Sequence, residues 1–307
     1  MADIYDKFII VDEKMTTDFT IQNNCPVGCT NIHLCGHINS QFSDRTAFAS
    51  LEFTLLNQSR RLHIKDAAAS HLTNGSGPLA QIVSWQWEGG KQKIEENITL
   101  NRGGTAEIRC YSSPSIVIRI LQKREVIENQ CPPDSFPDDD LTVHFGDRKI
   151  TVSGSLLKAV SPVVERMLSV EMKEKRQRAL NLDGHDITLE QFIQFLKTIN
   201  DHFGHGQTLP NPTNVLALLK LADYFQIDWL KKRCDAHLIN CIEIPLIERF
   251  LLIERYRLYN LKNFFLRCLS VVNLREFMKA NLGQQLLPGS ISNDFWFELT
   301  NRLSDRQ

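Results

Sequence analysis

Leu157-Lys158-Ala159-Val160-Ser161-Pro162 is the stretch from which the rest of the chain is read outward. A serine before a proline offers a helix N-cap and a first helical position where the missing proline N–H costs nothing, so a helix starts here. Just upstream, Leu141-Thr142-Val143-His144-Phe145, then Gly146-Asp147, then Arg148 to Val152 read as a β-hairpin. Downstream the apolar period turns helical. Thr188 and Gln191 form a capping box, and Phe192, Phe195, Leu196 and Ile199 recur at i, i+3, i+4, i+7. Val215, Leu218, Leu219, Ala222 and Phe225 make another stripe after Pro210 and Pro212. Asp228 stands where it would cap the next helix, which buries Leu230, Cys234 and Leu238. From Ile242 the chain reads as helical throughout, with stripes Phe250/Leu251, Phe264/Phe265/Cys268/Leu269/Val272 and Phe295/Leu299/Leu303.

In the other direction the texture changes. Glu125 to Asp140 holds Pro132, Pro133, Pro137 and the run Asp138-Asp139-Asp140. Prolines restrict their predecessors and the acids repel one another, so this reads as an exposed linker. Before it, apolar residues alternate. Leu51, Phe53 and Leu55 alternate with Glu52 and Thr54; Arg61 to Ile64 follows a turn; Val83, Trp85 and Trp87 share a face ahead of Gly89-Gly90. Ile98 and Leu100 precede Arg102-Gly103-Gly104, and Ser112-Ser113-Pro114 separates Ala106–Cys110 from Ile116–Leu121. Short strands with turn signals between them predict an antiparallel β-sandwich.

The chain has 307 residues, enough for two or three domains. Apolar residues at 42% and charged residues at 23% give a globular composition. Lys plus Arg at 35 against Asp plus Glu at 36 argues against coating nucleic acid or an acidic membrane. No apolar run approaches the roughly 18 residues that would cross a bilayer, and the acidic start Met1-Ala2-Asp3 differs from a signal peptide, so a soluble intracellular protein is expected. Eight cysteines spread over this length read as reduced thiols, mostly buried.

These residues together resemble a BTB/POZ domain. In that family a strand hairpin leads into a helix ending Leu-x-x-x-Ser-Pro, matched by Leu157 to Pro162, and then a helix with an apolar pair near its end, matched by Met167-Leu168. Leu180-Asn181-Leu182-Asp183 and Phe192 to Leu196 are similar to its short strand, acidic turn and Phe-rich helix. Leu218-Leu219-Lys220-Leu221-Ala222-Asp223-Tyr224-Phe225 resembles its Leu-Leu-x-x-Ala-Asp helix, continued by a family-like Cys234. Ser153 stands where many members carry His, and is itself suited to cap the helix.

The resemblance implies an α+β multidomain chain: a β-sandwich over 1–124 placed like a MATH domain, a linker over 125–139, a BTB/POZ domain over 140–241 and a BACK-like helical extension over 242–307. It implies action by contact, with no catalytic residue and no cofactor. Dimerisation in the family uses the first strand and first helix, here Leu141, Val143, Leu156, Leu157 and Val160, residues that would equally serve as core. Members that recruit the scaffold protein cullin-3 carry a hydrophobic-x-Glu motif after the second helix, which places Met172 and Glu174. An apolar anchor would enter a partner pocket while the carboxylate fixes register. The implied function is a cullin-3 ubiquitin-ligase adaptor, a homodimer in the cytoplasm or nucleus that holds an unidentified protein substrate through its N-terminal domain. The alternative is a dimeric BTB scaffold without cullin, in chromatin or cytoskeletal assemblies.

Other signals carry less. Trp85 and Trp87 are candidates for a substrate groove or for core. Cys25, Cys29, His33, Cys35 and His37 offer zinc-type ligands, but paired C-x2-C spacing is missing, and a strand with a polar side reads as well. An enzyme built on His33, Cys35 and His37 is the third reading. Lys173 to Arg178 is basic but lacks interleaved aromatics, as a solvated helix end does.

Overall fold

The computed structural model describes residues 4–16, 29–36, 47–56, 61–66, 77–109, 115–124, 140–205, 209–282 and 291–304. It consists of two compact units, one formed by residues 1–124 with 236–307 and the other by residues 125–235. The architecture is an N-terminal antiparallel β domain, then a mixed region of strands and helices, then a helical C-terminal part. The linker reading over 125–139 lies outside the described residues, and Asp140 already belongs to a strand.

In the first unit the strands are β1 (Phe8–Thr16), β2 (Cys29–Gly36), β3 (Ala47–Leu56), β4 (Arg61–Asp66), β5 (Pro78–Glu88), β6 (Lys91–Asn101), β7 (Thr105–Arg109) and β8 (Ser115–Lys123). They pair in two sheets, ordered β1-β8-β5-β6 and β2-β3-β4-β7. Gly89 and Gly90, at φ 56° and 80°, supply the two left-handed positions that a tight β5–β6 hairpin needs. Leu79, Ile82, Leu100, Ile116, Ile118 and Ile120 of one sheet meet Leu51, Leu62, Ile64 and Ile108 of the other in one buried cluster, so the domain is a sandwich.

The first sheet departs from the alternation expected of a half-buried strand. Every residue from Leu79 to Trp85 on β5 and from Ile116 to Leu121 on β8 is buried. Alternate residues cannot all face one core, so the second face is covered too. Val83, Trp85 and Val117 on that face pack against Ile242, with Met15 and Trp87 alongside.

The helices of this unit are α7 (Leu246–Tyr256), α8 (Tyr259–Asn263), α9 (Val271–Asn281) and α10 (Asn293–Ser304). They gather Phe250 against Phe265, Phe277 and Phe295, with centroids at 4.9, 5.3 and 5.3 Å. The stripe predicted through Cys268 and Val272 is corrected here. A π-turn over Phe264–Cys268 ends in extended Leu269, and Ser270 caps α9 by accepting from the Asn273 N–H at 3.1 Å. The helical phase restarts, so Val271, Leu274, Phe277 and Met278 are buried while Cys268 and Val272 face solvent.

In the second unit, β9 (Asp140–Phe145) and β10 (Arg148–Ser153) form the hairpin, and β11 (Ala179–Asn181) joins β9 in parallel. The helices are α1 (Gly154–Val160), α2 (Pro162–Ser169), α3 (Lys173–Gln177), α4 (Leu189–His205), α5 (Val215–Tyr224) and the start of α6 (Asp228–Asn240). Ser153 caps α1 through the Leu156 N–H, and Ser161 caps α2 through the Val164 N–H with Pro162 in the first turn. Thr188 and Gln191 exchange the two capping-box bonds at 3.2 and 3.0 Å. Asp228, expected as a cap, is instead the first helical residue of α6; Ile227 carries the cap carbonyl, which accepts from Lys231 N–H at 3.0 Å. Phe145, Phe192, Phe195 and Phe225 form the aromatic centre of this unit.

Candidate functional site

The surface segment between α2 and α3 is built by two interruptions. The N–H of Val170 still closes the α2 ladder on Arg166, but Val170 itself is extended at φ −87°, ψ 155°. Met172 is extended too, at φ −94°, ψ 167°, ahead of α3. Helical packing therefore lapses over these residues, leaving Val170 51% and Met172 40% exposed with only Glu171 between them. Two large apolar side chains therefore meet water on one short stretch of surface. Methionine's flexible thioether suits it to entering a preformed pocket. Glu174 sits half-buried in the first turn of α3, which buries no residue. Burial, with the Glu174 carboxylate nearby, pushes the Tyr224 phenol upward.

Around this segment the charges are local and solvated. Glu171 meets Arg176 at 3.4 Å and Lys175 at 3.9 Å, and Lys175 Nζ donates to the Ser169 carbonyl at 3.3 Å. Arg178, at φ 46°, ends α3 in the left-handed region and turns the chain into β11.

The other predicted site residues divide. Leu141, Val143 and Leu157 are enclosed in their own unit, so they have no surface for a second copy; Leu156 and Val160 on α1 are half-buried. Trp85 is 6% exposed within the cluster that holds Ile242, which makes it core and not a groove wall. Trp87 donates its Nε1 proton to Glu276 on α9 at 2.8 Å. Cys29, His33 and Cys35 fall on β2, and the side-chain reading of that strand, with Cys25 and His37, lies outside the described residues. Among the described residues no helix is long and apolar enough to cross a membrane.

A cluster that sequence reading missed lies under the first sheet. Arg119, fully buried on β8, donates to both oxygens of Glu243 at 2.6 and 2.9 Å and to the Asn240 carbonyl at 3.0 Å. Its Nε lies 3.7 Å from Glu13, and the same Glu13 oxygen is 2.8 Å from His237 Nδ1. Burial alone would raise the Glu243 carboxyl, but the Arg119 guanidinium outweighs it and holds the group below its ordinary value. Stripping one partner from such a pair costs about 3–5 kcal/mol, because the other charge stays buried. A lone arginine in the apolar run Ile116-Val117-Ile118-Arg119-Ile120-Leu121 was the readable signal.

Residues 135–242 match the family model of the BTB/POZ domain. The chain carries a BTB/POZ domain. The exposed Val170–Met172 segment and α3 lie inside it. The chain is 28% identical to BTB and MATH domain-containing protein 36 of Caenorhabditis elegans over 141 residues, which cover 46% of this chain and 41% of that protein. It is 26% identical to BTB and MATH domain-containing protein 38 of the same organism over 44% of this chain and 33% of that one. Ethylene-overproduction protein 1 of Arabidopsis thaliana is 30% identical over 41% of this chain but 13% of its own length. The chain thus spans well under half of these relatives where it matches them.

Proposed function

We propose that this chain is a substrate adaptor of a cullin-3 ubiquitin ligase, with the BTB/POZ domain holding cullin and the N-terminal sandwich holding a protein substrate. The observation that supports the reading is Met172, 40% exposed within the BTB/POZ domain; the family resemblance aligns it, with Glu174, on the hydrophobic-x-Glu motif of cullin-binding members. Two relatives bear names that pair BTB with MATH, which supports a partner-binding role for a β domain ahead of the BTB/POZ domain. The adaptor works by templating: it raises the effective concentration of substrate near a ubiquitin-charged subunit and supplies no nucleophile. A homodimer around Leu156 and Val160 of α1, in the cytoplasm or nucleus, would present two such sites.

Calorimetry of the full chain against the cullin-3 N-terminal region tests this. The parent binds, and Met172→Ala/Glu174→Ala weakens binding at least tenfold, or about 1.4 kcal/mol. A folded parent that does not bind overturns the adaptor reading and leaves the cullin-free scaffold. Binding indifferent to the double change moves the interface away from Met172.

A further inference from the structure

We propose that residues 236–307 complete the N-terminal domain, so that all but the last seven residues of the BTB/POZ match interrupt one discontinuous domain, and that the Arg119–Glu243 pair is its latch. The resemblance implied an extension belonging to the BTB/POZ domain. The packing assigns these residues to the sandwich: the compact unit is residues 1–124 with 236–307, and its boundary falls inside α6.

Four separate contacts hold the halves together. The first is the guanidinium–carboxylate pair of Arg119 and Glu243, with Arg119 also bound to the Asn240 carbonyl. The second is Glu13 on β1 with His237. The third is Arg249, fully buried, which donates to the Leu238 and Ile239 carbonyls at the end of α6 and to Gln92 on β6. Burial brings that guanidinium down to about 10. The fourth is the β5–β6 turn on α9, where Trp87 bonds Glu276 and a Cβ on Gly90 would stand 2.5 Å from the Glu276 carbonyl oxygen.

The chemistry separates this from incidental packing. A loosely docked helix would leave charges hydrated at its margin; here Arg119 and Arg249 are both at 0% exposure. Arg119 without Glu243 would keep only the Gln81 oxygen at 3.2 Å and Glu13 at 3.7 Å on its own sheet, and Arg249 would lose Gln92 and keep the Leu238 and Ile239 carbonyls. Because this chain's own segment occupies the face bearing Val83, Trp85 and Val117, a partner protein must engage the domain elsewhere. The proposal stands whether or not cullin binds.

The test uses the whole chain. A site-specific protease sequence is placed within 125–139, and the folded protein is cut there under thiol reductant and passed over a sizing column. The 1–124 fragment co-elutes with the remainder and leaves only in denaturant; its release as a folded fragment under native conditions overturns the proposal. Glu243→Gln, which keeps the shape and removes the charge, lowers the denaturant concentration at which the cut chain parts. Retention indifferent to Glu243→Gln, and to Trp87→Phe as a second probe of the same face, places the attachment elsewhere and overturns it too.

Discussion

Ser161 shows what one side chain can do when both its bonding directions are used. Its oxygen accepts from the Val164 N–H at 3.1 Å to cap α2, and its proton goes to the Phe225 carbonyl at 2.8 Å. Ser161→Ala loses the cap and leaves a buried carbonyl unpaired, so it should cost about 1–3 kcal/mol. Chemical denaturation read by far-ultraviolet circular dichroism checks this; a change within a few tenths of a kcal/mol would mean that water replaces both bonds. The cap was legible because its partner lies three residues away. The Phe225 bond, spanning 64 residues, was not. The same holds for Arg119: its place in an apolar run is visible in the sequence, whereas a partner 124 residues distant is set only by how the sheet is covered.

Among the elements, the β5–β6 hairpin is legible from Val83, Trp85 and Trp87 on one face ahead of Gly89-Gly90, yet the two glycines are held for different reasons. Gly89, at φ 56°, has nothing within 4 Å of an added Cβ, whereas Gly90 at φ 80° stands against the α9 backbone. Gly89→Ala should cost only the left-handed penalty of about 1–2 kcal/mol. Gly90→Ala must in addition move a helix and should lower the thermal midpoint clearly more; equal midpoints for the two would show that α9 does not bear on the turn. The strands themselves were legible from turn residues and alternation. Burial of β5 and β8 on both faces was not, since a continuous apolar run such as Ile116–Ile118 fits several settings. In the tail, the spacing of aromatics announced helices, but a π-turn adds no residue type that betrays it, and so Cys268 and Val272 were placed on the wrong face.

For the whole molecule, the BTB/POZ segment was readable because its motifs are contiguous, while the pairing of residues 1–124 with 236–307 depends on contacts across the chain. That pairing has a pH signature. Arg119 holds the Glu243 carboxyl below its ordinary value of 4.5, so its contribution is complete above that pH and fades as pH falls through the folded value. Stability of the full chain should therefore drop on acidification through the carboxylate range, and Glu243→Gln should flatten this acid limb while lowering stability at neutral pH. Parallel acid limbs in the two proteins would show that Glu243 is not held by Arg119 in solution.

The Arg119 cluster also sets a timetable for synthesis. The ribosome delivers β8, with its buried cation, well before Glu243, and at about 5–20 residues per second the interval is on the order of 6–25 s. Through that interval the nascent sandwich shows an unfinished apolar face with a charge at its centre, so chaperone capture should be heaviest there. A truncated message ending before Glu243 would yield a product destined for degradation and not a smaller working protein.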